Sequence, residues 1–339
     1  DVDLFIGSRS VPGVYGLDPN HLLLENLGDG SFRDITETRA FDLKDAGMIT
    51  GAVWTDIDGD GKEDLIAVSD WGTPTIFKNS GRRLSHMKSD LDPLHGWWNV
   101  VESADFDNDG DMDLIVGSGG NETSDENIYR ARLYLNNGKG NFTGSAEKLP
   151  AAFKNISVIR PHDFDADGDA DLFIGSRSVP GVYGLDPNHL LLENLGDGSF
   201  RDITETRAFD LKQAGMVTGA VWTDIDGDGK EDLITVSDWG APTIFKNSGR
   251  RLSHMKSDLD PLHGWWNVVE SADLDNDGDM DLILGNQGSN TLYKASAEEP
   301  MKIWINDFDN NGTFEQIVTR NLNGKDYPIH MKKELTSQM

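Results

Sequence analysis

One nine-residue acidic pattern, Asp-x-Asp-x-Asp-Gly-x-x-Asp, recurs along the chain and constrains its fold more than any other feature. Four carboxylates this close in sequence repel one another, so each copy is hard to keep compact without a cation. The acidic positions of the five complete copies are Asp56, Asp58, Asp60 and Asp64; Asp105, Asp107, Asp109 and Asp113; Asp163, Asp165, Asp167 and Asp171; Asp224, Asp226, Asp228 and Asp232; and Asp273, Asp275, Asp277 and Asp281. A single copy could be a solvated turn, but five copies indicate a repeated structural unit.

Two further copies are incomplete. The copy that begins at Asp307 continues with Asp309, Asn311 and Glu315, and it therefore carries one acidic group fewer. The chain also opens inside a copy, which lacks its first three ligand positions. We expect a weaker sixth site in the copy from Asp307 and no site in the copy at the start of the chain. Because the chain opens inside a copy, we also expect it to be part of a longer protein.

The residue types in the pattern favour calcium over other cations. Ca²⁺ takes about six to eight oxygen ligands in irregular geometry, whereas Mg²⁺ prefers octahedral sites rich in water. In the first copy, alternate carboxylates can turn toward one centre, Gly61 permits a tight turn, and Asp64 closes the site. The loops contain no His or Cys, which transition metals favour. The sequence therefore predicts five strong calcium sites and a weaker sixth.

The segments around the acidic pattern read as short strands. In the first unit, residues 51–55, 64–69, 74–78 and 83–87 have strand character. Copies of the pattern start 34 to 61 residues apart, and a repeat of this length with four strands predicts a β-propeller. We expect an all-β, seven-bladed propeller of four-stranded blades with incomplete terminal blades, forming one domain over residues 1–339. The predicted blade units are residues 1–48, 49–98, 99–150, 151–216, 217–266, 267–300 and 301–339.

Few helices are expected, and this argues against an EF-hand. Helical turns are predicted only at residues 42–48 and 327–339, and the polar insert 119–130 is expected to be a surface loop. An EF-hand needs flanking helices and a glutamate at position twelve. In the complete copies that position holds Ala67, Val116, Ile174, Thr235 and Leu284.

A longer repeat copies a third of the chain almost without change. Residues 1–117 match residues 169–285 with seven differences, and only Asp45, which is replaced by Gln213, changes charge. A recent duplication and a deliberate one both account for this pattern.

The composition excludes several classes of function. The formal net charge of −29 argues against binding to nucleic acid or to anionic lipid. The absence of cysteine excludes disulfides, zinc–thiolate sites and cysteine catalysis. No apolar run is long enough to span a membrane, so direct membrane insertion is not expected.

These acidic loops resemble the FG-GAP/VCBS repeats of integrin-type, calcium-binding β-propellers. The stretches 172–177, 215–218 and 264–267 are similar, more closely, to bacterial cartilage acidic protein-like, UnbV-type VCBS repeat proteins. The resemblance covers essentially the whole chain. It implies a calcium-bound, exported or surface-attached propeller that serves in binding or adhesion.

An enzyme is the main functional alternative. Some calcium propellers are polysaccharide lyases, which need a base beside a carboxylate neutraliser. The candidate bases are His21, His86, His95 and His162, with His189, His254 and His263 as repeat copies of the first three. Because an active site usually occurs once, copied histidines are expected to be structural.

The tryptophans and two arginines are the candidates for partner binding. Trp97-Trp98, Trp265-Trp266, Trp71 and Trp239 could pack between blades or stack on a sugar. Neighbouring residues on a strand face opposite sides, so at most one ring of each pair is expected to be exposed. Arg9 and Arg177 are expected to form salt bridges within loops.

We therefore predict a non-catalytic, calcium-stabilised binding or adhesion module for a protein or glycan partner. Its expected location is extracellular or at the cell surface, with any targeting segment outside this chain. A carbohydrate-active enzyme, such as a polysaccharide lyase, and an architectural subunit of a cell-surface assembly are the alternatives.

Overall fold

The computed structural model describes residues 2–120, 128–151, 155–288, 291 and 294–330. These residues form two compact units. The first is made from the described parts of Asp1–Gly120, Asp125–Ile174 and Leu190–Ile203, and the second from Gly175–His189 and the described part of Thr204–Met339. The predicted remnant at Asp1, the middle of the insert 119–130 and the end of the chain from residue 331 lie outside the described residues.

The described residues form an all-β fold with twenty-four short strands. The strands are β1 Leu4–Ile6, β2 Leu22–Asn26, β3 Phe32–Asp34, β4 Met48–Thr55, β5 Asp64–Asp70, β6 Thr75–Asn79, β7 Leu84–Met87, β8 Trp98–Ala104, β9 Asp113–Ser118, β10 Arg132–Asn136, β11 Phe142–Gly144, β12 Asn155–His162, β13 Asp171–Ser178, β14 Leu190–Asn194, β15 Phe200–Asp202, β16 Met216–Thr223, β17 Asp232–Asp238, β18 Thr243–Asn247, β19 Leu252–Met255, β20 Trp266–Ala272, β21 Asp281–Asn286, β22 Met301–Asn306, β23 Glu315–Leu322 and β24 Lys325–Pro328.

The strands make seven antiparallel sheets of the propeller-blade type. Four sheets have four strands joined in chain order: β4 to β7, β8 to β11, β12 to β15 and β16 to β19. The sheets at the ends of the described chain are smaller, with β1 to β3 at the start and β20–β21 and β22 to β24 at the end. The fold class predicted from the repeat is therefore confirmed, including the incomplete terminal blades.

The second strand of each four-stranded sheet is buried along almost its whole length. All seven residues of β5 are buried. Leu65 and Ala67 pack in a cluster with Ile49, whereas Ile66 and Val68 pack on the other side in a different cluster. Side chains alternate across a strand, so an unbroken apolar run is the sequence signature of a strand that lies between two packing partners. This packing fixes the ends of β5, which carry the functional residues.

Helical structure is limited to short turns. The α-helical turns are α1 Thr36–Arg39 and α2 Thr204–Arg207, and 3-10 turns span Phe41–Asp45, Ala146–Lys148 and Phe209–Gln213. A helical turn is thus present within the predicted range 42–48. The prediction of a helix from residue 327 is wrong at its start, because Tyr327 pairs with Arg320 as part of β24. Across the described residues, every helix is too short and too polar to cross a bilayer.

Candidate metal centres

Each complete acidic pattern forms the loop between the first and second strands of a sheet. In the first copy, β4 ends at Thr55, the loop begins at Asp56, and Asp64 is the first residue of β5. The other four copies connect β8 to β9, β12 to β13, β16 to β17 and β20 to β21 in the same way. The paired strands therefore hold both ends of every loop.

The side chain of the first aspartate organises the loop backbone. Asp56 accepts hydrogen bonds from the N–H groups of Asp60, at 3.1 Å, and Gly61, at 2.7 Å. Asp60 in turn accepts a hydrogen bond at 3.1 Å from the N–H group of Lys62. The same three contacts recur in the four other complete loops. The sequence thus specifies one loop conformation five times.

Two positions of the loop adopt left-handed backbone conformations. Gly61, at position six, has φ of 81°, as the tight turn requires. Position four is also left-handed, with φ of 72° at Gly59, 59° at Asn108 and 61° at Ala166. This second requirement was not predicted, although the frequent Gly and Asn at position four are the sequence signal for it.

Three of the four predicted carboxylates in each complete loop converge. Their oxygen atoms lie within 4.8 Å of one another. The converging sets are Asp56, Asp58 and Asp64; Asp105, Asp107 and Asp113; Asp163, Asp165 and Asp171; Asp224, Asp226 and Asp232; and Asp273, Asp275 and Asp281. The third aspartate of the pattern is the one that caps the turn, as Asp60 does.

The last aspartate is buried in four of the five complete loops, and Asp281 is the exception. Asp113 accepts hydrogen bonds from the N–H groups of Asn136, at 2.8 Å, and Phe106, at 2.9 Å. Burial, followed by the nearby Asp107 and Asp109 carboxylates, nevertheless raises the pKa of Asp113 to about 6. Burial raises the pKa of Asp171 to about 7 for the same reason. These carboxylates are therefore costly to keep ionised unless a cation is present.

Several converging oxygen atoms lack a hydrogen-bond donor. Among the described residues, Asp58 Oδ1, Asp107 Oδ1 and Asp232 Oδ2 are buried and have no hydrogen-bond partner. Buried polar atoms are normally paired, and a buried carboxylate oxygen without a donor suits a metal ligand. With oxygen atoms as the only donors of these triads, the residues fit a hard cation such as Ca²⁺.

Two of the loops also contact a lysine. Lys78, on β6, forms ion pairs with Asp58 and with Asp60, the latter at 3.2 Å. Lys246, on β18, does the same with Asp226 and Asp228. Asn79 and Asn136 make the same contact with the last aspartate of their loops, so the residues that precede them, Lys78 and Leu135, are equivalent. The loop from Asp105 therefore has a leucine where the first loop has a lysine. The loops therefore have different local charge.

The drifted copy keeps the loop conformation. Asp307 accepts hydrogen bonds from Asn311, at 2.9 Å, and Gly312, at 2.9 Å. Glu315 accepts one from the N–H group of Phe308 at 2.8 Å, as the final aspartate does elsewhere. Asp309 Oδ1 accepts a further hydrogen bond from the Asn311 N–H group, at 3.0 Å. All four predicted positions therefore lie in one loop of the expected shape.

Three of the residues considered for other roles, His21, His189 and Arg9, lie in structural contacts, whereas His254 and His263 line a cavity. His21 is buried and accepts a hydrogen bond from the Ser8 N–H group at 3.1 Å. His189 accepts the equivalent bond from Ser176 at 3.2 Å. Arg9 pairs with Asp70, which confirms that this arginine forms a salt bridge. Their contacts account for their recurrence with the long repeat.

Comparison with known proteins agrees with this geometry. The model of the FG-GAP-like repeat matches residues 56–116, 118–174 and 224–284, which together make up more than half of the chain. Cartilage acidic protein 1 of Mus musculus is 25% identical over 177 residues, covering 50% of this chain and 26% of the relative. Cartilage acidic protein 1 of Homo sapiens is 25% identical over 177 residues, covering 50% and 25%. The chain spans about a quarter of the length of these curated relatives. With repeats matched over most of the loops described above, the chain belongs to the FG-GAP-like repeat family.

Proposed function

We propose that this chain is a calcium-stabilised extracellular module that binds a protein or glycan at the cell surface and has no catalytic role. Five complete loops hold structural Ca²⁺, and the loop from Asp307 holds a sixth ion more weakly. In each complete loop the first, second and last aspartates are the carboxylate ligands. Residues such as Asp60 shape the turn.

The observation that carries this proposal is the fivefold convergence of three carboxylates at the start of a second strand. The final aspartate is the first residue of that strand, so a cation there ties the loop to the core of the sheet. A hard divalent cation offsets the repulsion between the carboxylates and supplies the partner that buried oxygens such as Asp58 Oδ1 lack.

The charge of the chain and the comparisons support the extracellular location and the binding role. Extracellular calcium modules work with dissociation constants of about 10⁻⁴ to 10⁻³ M, which suits open loops that contain several exposed carboxylates. The net charge of −29 opposes nucleic acid and anionic membrane surfaces as partners. Matches to FG-GAP-like repeats and to cartilage acidic protein 1 support a binding rather than an enzymatic module.

The test measures bound metal and thermal stability on the same protein. Equilibrium dialysis against Ca²⁺ should give five to six ions per chain, and magnesium at the same concentration should bind fewer. A single site filled at 1,000 times its dissociation constant stabilises the fold by about 4 kcal/mol. Excess EGTA should therefore lower the melting temperature sharply, and an unchanged melting curve would contradict structural calcium.

A further inference from the structure

A second group of polar and aromatic residues lies at the opposite end of β5 from the acidic loop. β5 begins at Asp64 and ends at Asp70, so about 20 Å of strand separates these carboxylates. One group lies at this end of β5, in the first compact unit, and the other lies at the same end of β17, in the second unit. The first aromatic cluster is Arg9, Tyr15, Asp70, Trp71 and Trp97, and the second is Arg177, Tyr183, Asp238, Trp239 and Trp265.

A hydrogen-bond network fixes one tryptophan in each cluster. Asp70 Oδ2 accepts hydrogen bonds from Arg9 Nε, at 2.7 Å, and from the Tyr15 hydroxyl, at 3.2 Å. The Tyr15 oxygen accepts a hydrogen bond from the indole N–H of Trp71 at 3.3 Å. In the second cluster the equivalent three distances are 2.7, 3.0 and 3.1 Å. The polar edge of the indole therefore has a hydrogen-bond partner within the cluster.

The fixed tryptophan has an unfavourable backbone conformation. Its φ is 61° at Trp71 and 63° at Trp239. A bulky residue in the left-handed region is an outlier, and such outliers cluster at functional sites. Trp71 is nevertheless 58% exposed, so packing in the core does not account for the strain. The chain keeps an exposed indole in place at a conformational cost.

A second aromatic ring extends the exposed surface. The backbone of Trp97 pairs with that of Asp70 in an isolated antiparallel β-bridge. The ring centroids of Trp97 and Trp71 lie 4.6 Å apart. Trp98, its neighbour along the chain, is buried, as expected for adjacent residues on a strand. The Trp239 and Trp265 centroids are 5.6 Å apart. Each cluster thus contains two adjoining indoles, one exposed and one half-buried: Trp71 is exposed in the first cluster and Trp265 in the second. Trp97 also stacks on the buried ring of Tyr129.

The second cluster borders a cavity of about 420 Å³. This volume is in the range of small-molecule sites, roughly 300 to 1,000 Å³. Trp239, Asp238 and Ser237 line it. Among the described residues, Asp238 Oδ1 and Ser237 Oγ are buried without a hydrogen-bond partner. A carboxylate oxygen and a hydroxyl group, both without a hydrogen-bond partner, therefore lie in the same cavity lining as the indole ring of Trp239.

The charges around this cavity select the class of ligand. Asp186, Asp238 and Asp260 line it together with His254 and His263, and the three carboxylates oppose an anionic ligand. The Arg177 guanidinium already pairs with Asp238, and its charge opposes a second cation at that carboxylate. A neutral ligand with an apolar face and hydroxyl groups meets both conditions, because hydroxyls donate to Asp238 and exchange hydrogen bonds with Ser237.

We propose that the aromatic clusters bind neutral sugar units of a glycan, and that the cavity of the second cluster encloses one such unit. The indole faces stack on the C–H face of the sugar ring, while Asp238 and Ser237 take its hydroxyls. This proposal rests on the proposed function as a binding module and names the chemistry of its ligand.

The test uses the whole chain in calcium with defined carbohydrates. The probes are neutral gluco-, manno-, xylo- and galacto-oligosaccharides on an array, with polygalacturonate as the anionic and choline as the cationic comparison. A bound oligosaccharide is then titrated by tryptophan fluorescence and calorimetry. Trp239→Ala should weaken binding about tenfold or more, and Trp71→Ala should reduce the number of sites. Trp54→Ala, which removes an exposed indole outside the clusters, should leave binding unchanged.

Ser237→Ala provides a variant that removes a single hydroxyl, and it should also weaken binding while the melting temperature stays the same. Binding of choline or polygalacturonate in preference to neutral sugars overturns the proposal, as does neutral-sugar binding that survives Trp71→Ala/Trp239→Ala. A chain that melts in a calcium-dependent way yet binds no neutral sugar also overturns it and leaves the calcium-binding module intact. Loss of the calcium dependence itself contradicts the proposed function instead.

Discussion

The fourth residue of each acidic loop adopts the left-handed conformation, and its side chain determines how much backbone strain the loop contains. Gly or Asn occupies this position in five of the six loops, and Ala166 occupies it in the loop from Asp163. Alanine pays about 1–2 kcal/mol in this region because its Cβ crowds the following carbonyl. This loop therefore contains strain that the others avoid.

Replacing Ala166 by glycine should stabilise the protein. We expect Ala166→Gly to raise the free energy of unfolding by about 1 kcal/mol in urea denaturation, in calcium and in EGTA alike. Ala170→Gly, in the same loop and outside the left-handed region, is the matched control and should lower stability by about 0.5–1 kcal/mol. Equal effects of the two substitutions would contradict the role assigned to position four.

The lysine beside the first loop should compete with calcium. The Lys78 ammonium group contacts Asp58 and Asp60, so Lys78→Met removes a positive charge from that loop. Because Lys78 is about one-third exposed and the contact is screened by water, we expect calcium to bind roughly two- to fivefold more tightly there. Calorimetric titration measures this change. Lys88→Met is the control, and an equal shift in both variants would show a general charge effect.

At the scale of the element, the second strand and its acidic loop act as one unit. β9 starts at Asp113, whose carboxylate accepts hydrogen bonds from the loop, at Phe106, and from the next strand, at Asn136. A cation bound by this carboxylate therefore also orders β9 and β10. We expect each calcium ion to stabilise the sheet in which it lies.

Asp113→Asn should distinguish the contribution of the metal to stability from that of the hydrogen bonds. In calcium at 100 times the dissociation constant, the variant should lose about 2.7 kcal/mol, the contribution of a site filled to that extent. In EGTA the loss should be small, because the buried carboxylate, with its pKa raised to about 6, is itself unfavourable when ionised. Thermal melting with and without calcium measures the difference. Asp111→Asn, in the same loop, is the control, and an equal loss for Asp113→Asn in both conditions would exclude a ligand role.

The sequence predicted most of this element and missed its long-range contacts. The period of the acidic pattern and the apolar run 65–68 predicted β5 and its loop, because both depend on neighbours in sequence. The contacts of Arg9 and Tyr15 with Asp70 join residues 61 and 55 positions apart, so no local pattern could reveal them. The strained conformation of Trp71 was missed for the same reason, since propensity gives no reason to expect a tryptophan there.

At the scale of the whole molecule, the net charge makes the fold depend on its ions. The chain has 59 acidic and 30 basic residues. A molecule so far from neutrality repels itself when compact, and this repulsion is greatest when no cation is bound. Six divalent ions would lower the net charge from −29 to −17. Under the proposed function, calcium would therefore act on the chain both at each loop and through its total charge.

Salt should therefore rescue part of the stability that is lost in EGTA. Ionic strength of about 1 M shortens the screening length to roughly 3 Å, which weakens repulsion between exposed carboxylates. We expect sodium chloride to raise the melting temperature clearly in EGTA and only slightly in saturating calcium. Sucrose, which stabilises without screening charge, should act equally in both conditions. An equal response to salt in both conditions would contradict this view.

The complete burial of the second strand also has a consequence for regulation. β5 joins an acidic loop at Asp64 to an aromatic cluster at Asp70, and all seven of its residues are buried. If an ion that orders one end of this strand also orders the other end, it lowers the entropic cost of binding there. Thermodynamic reciprocity requires a ligand at the tryptophans to tighten calcium by the same factor. Recognition at this surface would then rise and fall with the calcium concentration around the protein.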